Sequence, residues 1–273
     1  MVATPIGAAR DITLRALDVL NAADLLAAED TRRMRHLLDI HGIPLRGRRI
    51  LAYHDHNADQ ARPAILQALA AGGSVAYASD AGTPLVADPG YRLGRDVLAE
   101  GGRVIAVPGA SAALAALTVS GLPSDKFLFA GFPPAPRSAR KTWLEKWTSA
   151  EATVILFESP RRVKQTLDIL CETDPEREMV MCRELTKRFE EVMRGTVADV
   201  AARLPDTGIK GEVVLLLAPA QVQVGQGHDL DAELRQRLGV MSVRDAADAV
   251  AALTGLKRRA VYNRALELDG GKT

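Results

Sequence analysis

Two carboxylates sit in the loop Ala78-Ser79-Asp80-Ala81-Gly82-Thr83-Pro84-Leu85-Val86-Ala87-Asp88-Pro89-Gly90, between an apolar run from Val75 to Ala78 and a helical pattern over 92–99. Glycine and proline at that point let backbone approach a ligand at the carboxyl end of a buried strand. Phosphate-cradling loops set Lys or Arg among bare N–H groups, whereas this one carries Asp80 and Asp88. Such a loop favours a hydroxyl-rich or cationic ligand over a polyphosphate. The sulfonium of S-adenosylmethionine is a cation of that kind. Three more charged clusters follow apolar runs: Glu29-Asp30-Thr31-Arg32-Arg33, His54-Asp55-His56-Asn57 and Ser159-Pro160-Arg161-Arg162. Each alone reads as solvated caps and surface ion pairs. On parallel strands they would share one edge and converge on a cleft.

The elements that must hold these residues alternate. Val2-Ala3, Leu25 to Ala28, Ile50 to Tyr53, Val75 to Ser79 and Val104 to Val107 read as short strands. Helical patterns fall between them at 12–20, 32–41, 58–71, 91–100 and 112–120, with Asp11 and Ser111 as N-caps. This alternation predicts a mostly parallel sheet with helices on both faces. The Pro-rich stretch Gly131 to Pro136 marks a change. Beyond it, strands are expected at 153–158, 179–184, 190–195 and 212–218, with helices at 161–171 and 197–204. The tight Thr186-Lys187-Arg188 connection predicts a hairpin, so this half is mixed α/β. A polar linker over 221–227 leads to three short helices in 229–268. The expected fold is therefore α/β in two domains, residues 1–122 and 123–220, plus a helical domain over 228–270.

Composition excludes several classes. The 273 residues are 47% hydrophobic and 25% charged, ample for a large soluble core. A net charge of +1 gives no whole-molecule field for nucleic acid, so any such binding must be local. Two cysteines, Cys171 and Cys182, make no disulfide framework, and no run approaches the roughly 18 apolar residues of a membrane span. A cytoplasmic protein is expected.

Ordered motifs add a resemblance. Ala3-Thr4-Pro5-Ile6-Gly7, Asp11-Ile12-Thr13, Ala28 to Arg32, His54 to Asn57, the loop over 79–90, Pro108-Gly109-Ala110-Ser111-Ala112, Ser120 to Ser124 and Arg183-Glu184-Leu185-Thr186-Lys187 resemble the ribosomal-RNA branch of the tetrapyrrole methylase superfamily. The resemblance covers nearly the whole chain. The first strand has only three or four residues before Thr4-Pro5, where the family carries a longer lead-in. The resemblance implies two α/β domains with S-adenosylmethionine folded into the cleft between them, commonly in a homodimer. It also implies methylation of a cytidine ribose 2′-oxygen in the decoding region of 16S ribosomal RNA, within the small subunit. Contacts to the methionine part of the cofactor then fall to Asp80, Thr83 and Val86. Contacts near adenine fall to Leu185, Gly211 and Glu212.

Other positions have two readings each. Ile6, in the turn over 4–7, is expected to touch the cofactor because the Asp80 loop lies beside it; otherwise the segment is a plain strand-to-helix turn. Ser111 and Ala112 would present amides at a helix start to a carboxylate, or Ser111 is an ordinary cap. Phe157 packs on adenine or is plain core. Asp88 is a ligand contact or a helix cap. A 2′-hydroxyl is a poor acid, so the reaction needs a base or a cation for the developing alkoxide. Glu29, Asp30, Asp80 and Glu184 are candidate bases, and Lys187 and Arg32 candidate stabilisers; Lys187, Glu29 and Arg32 form the expected catalytic set. Arg32, Arg161, Arg162, Lys187 and Arg188 are expected to grip the RNA backbone. His54-x-His56 lacks further ligands at metal spacing, so no metal is expected. In the tail, Ser242 and Asp245 open a capping box, and a basic helix from Lys257 to Arg264 reads as an RNA contact or as a packed appendage. Two rivals remain: a porphyrinoid methyltransferase, which would keep a Gly-rich first loop and need no basic tail, and a nucleic-acid-binding regulator, against which the loop set argues.

Overall fold

The computed structural model describes residues 1–87, 90–205, 207–220, 230–254, 256 and 258–270. Asp88, Gly255, Lys257 and the expected linker over 221–227 lie outside the described residues. The chain forms two compact units, Met1–Pro219 and Ala220–Thr273.

In the larger unit, β1 (Leu25–Ala28) lies between β2 (Ile50–Ala52) and β3 (Val75–Ala78), all parallel. Side chains alternate across a strand, so Leu26 and Ala28 face one layer and Ala27 the other. Leu26 and Ala28 pack with Ala16 and Leu20 of α1 (Leu14–Ala22) and Met34 and Leu38 of α2 (Thr31–Ile40). Ala27 packs with Ile65 of α3 (Ala58–Ala70) and with Leu93 and Val97 of α4 (Tyr91–Ala99). A parallel sheet covered on both faces was the expectation, and its three strands fall where they were read.

The second sheet runs β4-β5-β8-β6-β7, from β4 (Phe127–Gly131), β5 (Thr153–Glu158), β6 (Glu178–Arg183), β7 (Glu191–Thr196) and β8 (Val213–Leu217). Only the β4–β5 pair is parallel; β6 and β7 form the expected hairpin. One face of this sheet buries Val154, Leu156, Met181 and Leu215 under α6 (Arg137–Thr148), α7 (Val163–Thr173) and α8 (Val197–Ala202). The other buries Ile155, Val180, Cys182 and Leu216 against Ala113, Ala116 and Leu117 of α5 (Ala112–Ser120). Helix α5 is apolar nearly all round, yet only one face is buried, and Leu114 stands exposed on another. It follows the first sheet in the chain yet covers the second, so the segment before it lies where the two sheets meet.

Several expectations are corrected. Val2 makes single parallel bridges to Ala78 and Val107, so neither 2–3 nor 104–107 is a full strand. Asp11 closes a 3-10 turn over Ala9–Asp11, and Thr13 caps α1, its hydroxyl accepting from the Ala16 N–H at 3.2 Å. Ser111 occupies the N-cap position of α5, but its side chain makes no capping bond. Strand β4 and helix α6 were not anticipated.

The smaller unit is three helices, α9 (Leu230–Leu238), α10 (Val243–Thr254) and α11 (Arg258–Gly270), around Leu234, Ala247, Val250, Val261 and Ala265. Ser242 accepts from the Asp245 N–H at 3.2 Å, and its hydroxyl donates to the Asp245 carboxylate at 2.7 Å. The cap is thus present, though not the reciprocal bond to backbone. No helix among the described residues is long and apolar enough to cross a membrane.

Candidate active site

A cavity of about 410 Å³ opens between the carboxyl ends of the first sheet and the β5–β8 region of the second. Ile6, Glu29, Asp80, Thr83 and Val86 line one side, and Ser111, Ala112, Phe157, Gly211 and Glu212 the other. Of the residues expected around a cofactor, Leu185 alone is absent from the lining. It is 7% exposed and packs in the core with Ile6, while its carbonyl faces Gly7. Phe132 and Glu158 line the cavity without having been anticipated, and Arg33 does so as a member of the 29–33 cluster expected at the cleft.

The acidic loop is held by its neighbours. The Thr4 and Gly82 backbones exchange hydrogen bonds of 2.9 and 3.0 Å, and Thr83 donates through its hydroxyl to Ala110 O at 2.9 Å. Asp80 Oδ1 accepts the Asp30 N–H at 2.8 Å, tying the ends of β1 and β3 together. Leu85 and Ala87 take left-handed backbone, with φ of 75° and 63°. Glu184 and Thr186, in the β6–β7 loop, do the same at 52° and 63°. These four are most of the non-glycine residues with positive φ among the described residues, and such strain persists only where surrounding structure enforces it.

The β6–β7 loop forms its own ionic knot. Glu184 Oε1 accepts from the Glu212 N–H and from Lys187 Nζ, both at 2.9 Å, and Lys187 Nζ lies 3.0 Å from Glu212 Oε2. The Lys187 bond chiefly, and the Glu212 amide next, hold the Glu184 carboxyl below the usual carboxylate range. Burial pulls the Lys187 ammonium down, but its bonds to Glu184 and Glu212 outweigh it and the net shift is upward. Lys187 is thus a fixed cation, and it does not line the cavity. The loop touches the segment after the 4–7 turn directly: the Ala8 N–H donates to Thr186 Oγ1 at 3.1 Å. A methyl group at Gly7 would stand 2.5 Å from Thr186 Oγ1 and 2.9 Å from Leu185 O, so only glycine permits this approach.

Among the candidate bases the structure discriminates. Asp30 caps α2, accepting from the Arg32 N–H at 2.8 Å and from the Arg32 guanidinium at 3.1 and 3.3 Å. Those side-chain bonds hold its carboxyl low. Arg32, 90% exposed, is turned onto Asp30 and is not in the cavity wall. Glu29 differs: burial first, then the Asp80 charge, pushes its carboxyl up. Glu29 thus combines a raised carboxyl with a place in the cavity lining.

Opposite, Phe157 meets Phe129 and Phe132 edge-on, with ring centroids 4.8 and 5.5 Å apart. Phe157 is therefore both cavity wall and partly core. Helix α5 begins at the cavity without a side-chain cap, leaving its first amides to other acceptors. Arg162 is tied to buried Glu158 at 2.8 Å, Arg161 is exposed, and Arg188 stacks over Phe189 at 5.4 Å. His54 and His56 have ring centroids 6.1 Å apart and lie outside the cavity lining. In α11, Arg258 pairs with Asp248 and Arg264 with Asp231, so two of the cations expected to face RNA are engaged within their own unit.

An acidic loop, an aromatic wall and a helix start around a cavity at a sheet's carboxyl edge define a nucleotide-type cofactor site in a two-sheet α/β protein. The chain belongs to the tetrapyrrole methylase family: a model described as Tetrapyrrole (Corrin/Porphyrin) Methylases matches residues 1–201, and one described as RsmI C-terminal HTH domain matches 225–269. It is similar to the ribosomal RNA small subunit methyltransferase I of Mesorhizobium japonicum, 49% identical over 99% of this chain and 94% of that protein. The protein of the same name in Neisseria meningitidis serogroup B is 40% identical over 97% and 92%. A crystal structure of uroporphyrin-III C-methyl transferase from Thermus thermophilus, complexed with S-adenyl homocysteine, shares the fold at TM-score 0.54 and 18% identity, covering 80% of this chain and 95% of that one. The chain is accordingly an S-adenosylmethionine-dependent methyltransferase.

Proposed function

We propose that this enzyme methylates the ribose 2′-oxygen of a cytidine in the decoding region of 16S ribosomal RNA, acting on the small subunit in the cytoplasm as a homodimer. The observation that carries the cofactor half is the convergence of the acidic loop, the uncapped start of α5 and the Phe157 wall on one cavity. The RNA half rests on relatives named as small-subunit RNA methyltransferases and on the matched C-terminal helix-turn-helix model. The dimer and the target nucleotide rest on the family resemblance. The domain division at 122 and 220 belongs to the same reading, with one sheet in each of the first two segments.

The lining fits a cationic, adenine-bearing donor. Asp80 and Glu29 supply negative charge, the amides opening α5 suit a carboxylate, and Phe157 offers a ring face. S-adenosylmethionine supplies an electrophilic methyl group when bound. Ile6, Asp80, Thr83, Val86, Ser111 and Ala112 would hold its amino-acid part, and Phe157, Gly211 and Glu212 its adenosine part. Leu185 acts from behind, by backing Ile6. Glu29 would accept the 2′-hydroxyl proton of the acceptor ribose. Lys187 positions Glu184 and Glu212 beside the cavity, and Arg32, bound to Asp30, steadies the start of α2.

Incubation with methyl-labelled donor and undermethylated small subunits tests the reading. Label recovered as 2′-O-methylcytidine after nuclease digestion is the expected result. Label on a base, or only on a porphyrinoid offered in parallel, contradicts it.

A further inference from the structure

Arg33 and Asp80 stand where two cavities meet. Beside the cavity already described lies a smaller one of about 240 Å³, walled by Thr4, Pro5, Met34, His36 and Leu37 among others. Among the described residues, Arg33 and Asp80 alone line both. Their ion pair is therefore the partition between the two spaces. It is a loose partition: Arg33 Nη1 lies 3.4 Å from Asp80 Oδ2, beyond ordinary hydrogen-bond length, with the arginine side chain 63% exposed. Such pairs hold weakly. Arg32, one residue earlier, is by contrast bound to Asp30 through its Nε and Nη2. The other Asp80 oxygen is fixed by the Asp30 amide at 2.8 Å, so the carboxylate keeps its place when Arg33 departs.

We propose that Arg33 is the arginine that grips the acceptor RNA, and that Asp80 parks it until a positively charged donor fills the larger cavity. The inference rests on the donor-site reading above. A cation beside Asp80 gives the carboxylate a second partner and repels the guanidinium. Freed, Arg33 meets a backbone phosphate as a planar two-donor fork. Donor and RNA then bind with positive coupling, and linkage makes the effect reciprocal.

The test measures affinity for a small-subunit RNA fragment with and without sinefungin, an analogue carrying an ammonium in place of the sulfonium. Wild-type protein should bind RNA roughly fivefold or more tightly with sinefungin present, and S-adenosylhomocysteine, lacking that charge, should give less. Arg33→Met should weaken RNA binding, abolish the sinefungin effect and reduce the salt-dependence slope by about 0.7 to 0.9, the loss of one phosphate contact. Arg33→Lys should restore part of the affinity and the slope, and Arg32→Met should leave the sinefungin effect intact. An unchanged slope, or equal coupling in Arg33→Met and wild type, overturns the inference while leaving the donor site standing. Failure of sinefungin to shift the melting temperature removes the donor-site reading and the inference with it.

Discussion

At Glu29, chemistry and stability pull in opposite directions. Burial and the Asp80 charge raise its carboxyl, so protonation is favoured in the folded protein over the unfolded chain. That contribution to stability is complete at pH below the unfolded-state value and is lost as pH rises through the raised folded-state value. Catalysis by the carboxylate runs the other way, turning on over the same interval. Glu29→Gln should therefore lower turnover by about 10²- to 10⁴-fold and flatten the acidic limb of the rate profile. The same change should raise the melting temperature at neutral pH and leave it unchanged at low pH. Retained turnover with an intact acidic limb would move the base elsewhere. Sequence alone offered four carboxylates and placed Glu29 in the expected catalytic set without a physical ground for it, because their separation depends on which of them caps a helix, pairs with a cation or stays buried. Arg32 and Arg33 were not separable in the sequence for a similar reason. Neighbours on a helix point about 100° apart, and nothing in the sequence says which faces the cavity.

The loops between elements carry the site, and glycine sets their limits. Gly211 has φ of 95°, and a methyl group there would stand 2.5 Å from the Glu184 carboxyl. That carboxyl is pinned by Lys187 and the Glu212 amide, so it has little room to move. Gly211→Ala should cost at least about 1 kcal/mol in urea unfolding and weaken donor binding, whereas Gly208→Ala, with open space around it, should cost only the backbone strain of its φ of 76°. Equal donor affinity in both variants would detach the knot from the pocket. Elements that are short continuous apolar runs were legible: β1 and β5 fall on the residues read for them. Strand β4 was hidden because its first residues are exposed and a proline cluster follows. Helix α6 was hidden because charged residues break up its apolar pattern. It docks through Leu144 and through Arg140, wholly buried and satisfied by Pro134 O, Ala135 O and Gln165.

For the whole molecule, the division into two compact units predicts separable roles. A chain ending at Pro219 should fold, keep its donor affinity and bind small-subunit RNA about tenfold more weakly, on the scale of a few lost phosphate contacts. Full RNA affinity in the shortened chain would make the three-helix unit a structural appendage. The engagement of Arg258 and Arg264 in ion pairs leaves Arg259 as the exposed cation to test within α11. Cys182 will not confuse such assays through modification, since burial pushes its thiol up to about 12. Every role assigned above depends on where the donor sits, and a crystal structure of the protein with sinefungin bound decides that most directly. The ligand is expected between the Asp80 loop and Phe157, its charged side toward Asp80 and its adenine toward Gly211 and Glu212. Ligand density outside that cavity, or a phosphate-bearing molecule seated against Asp80 in its place, would contradict it.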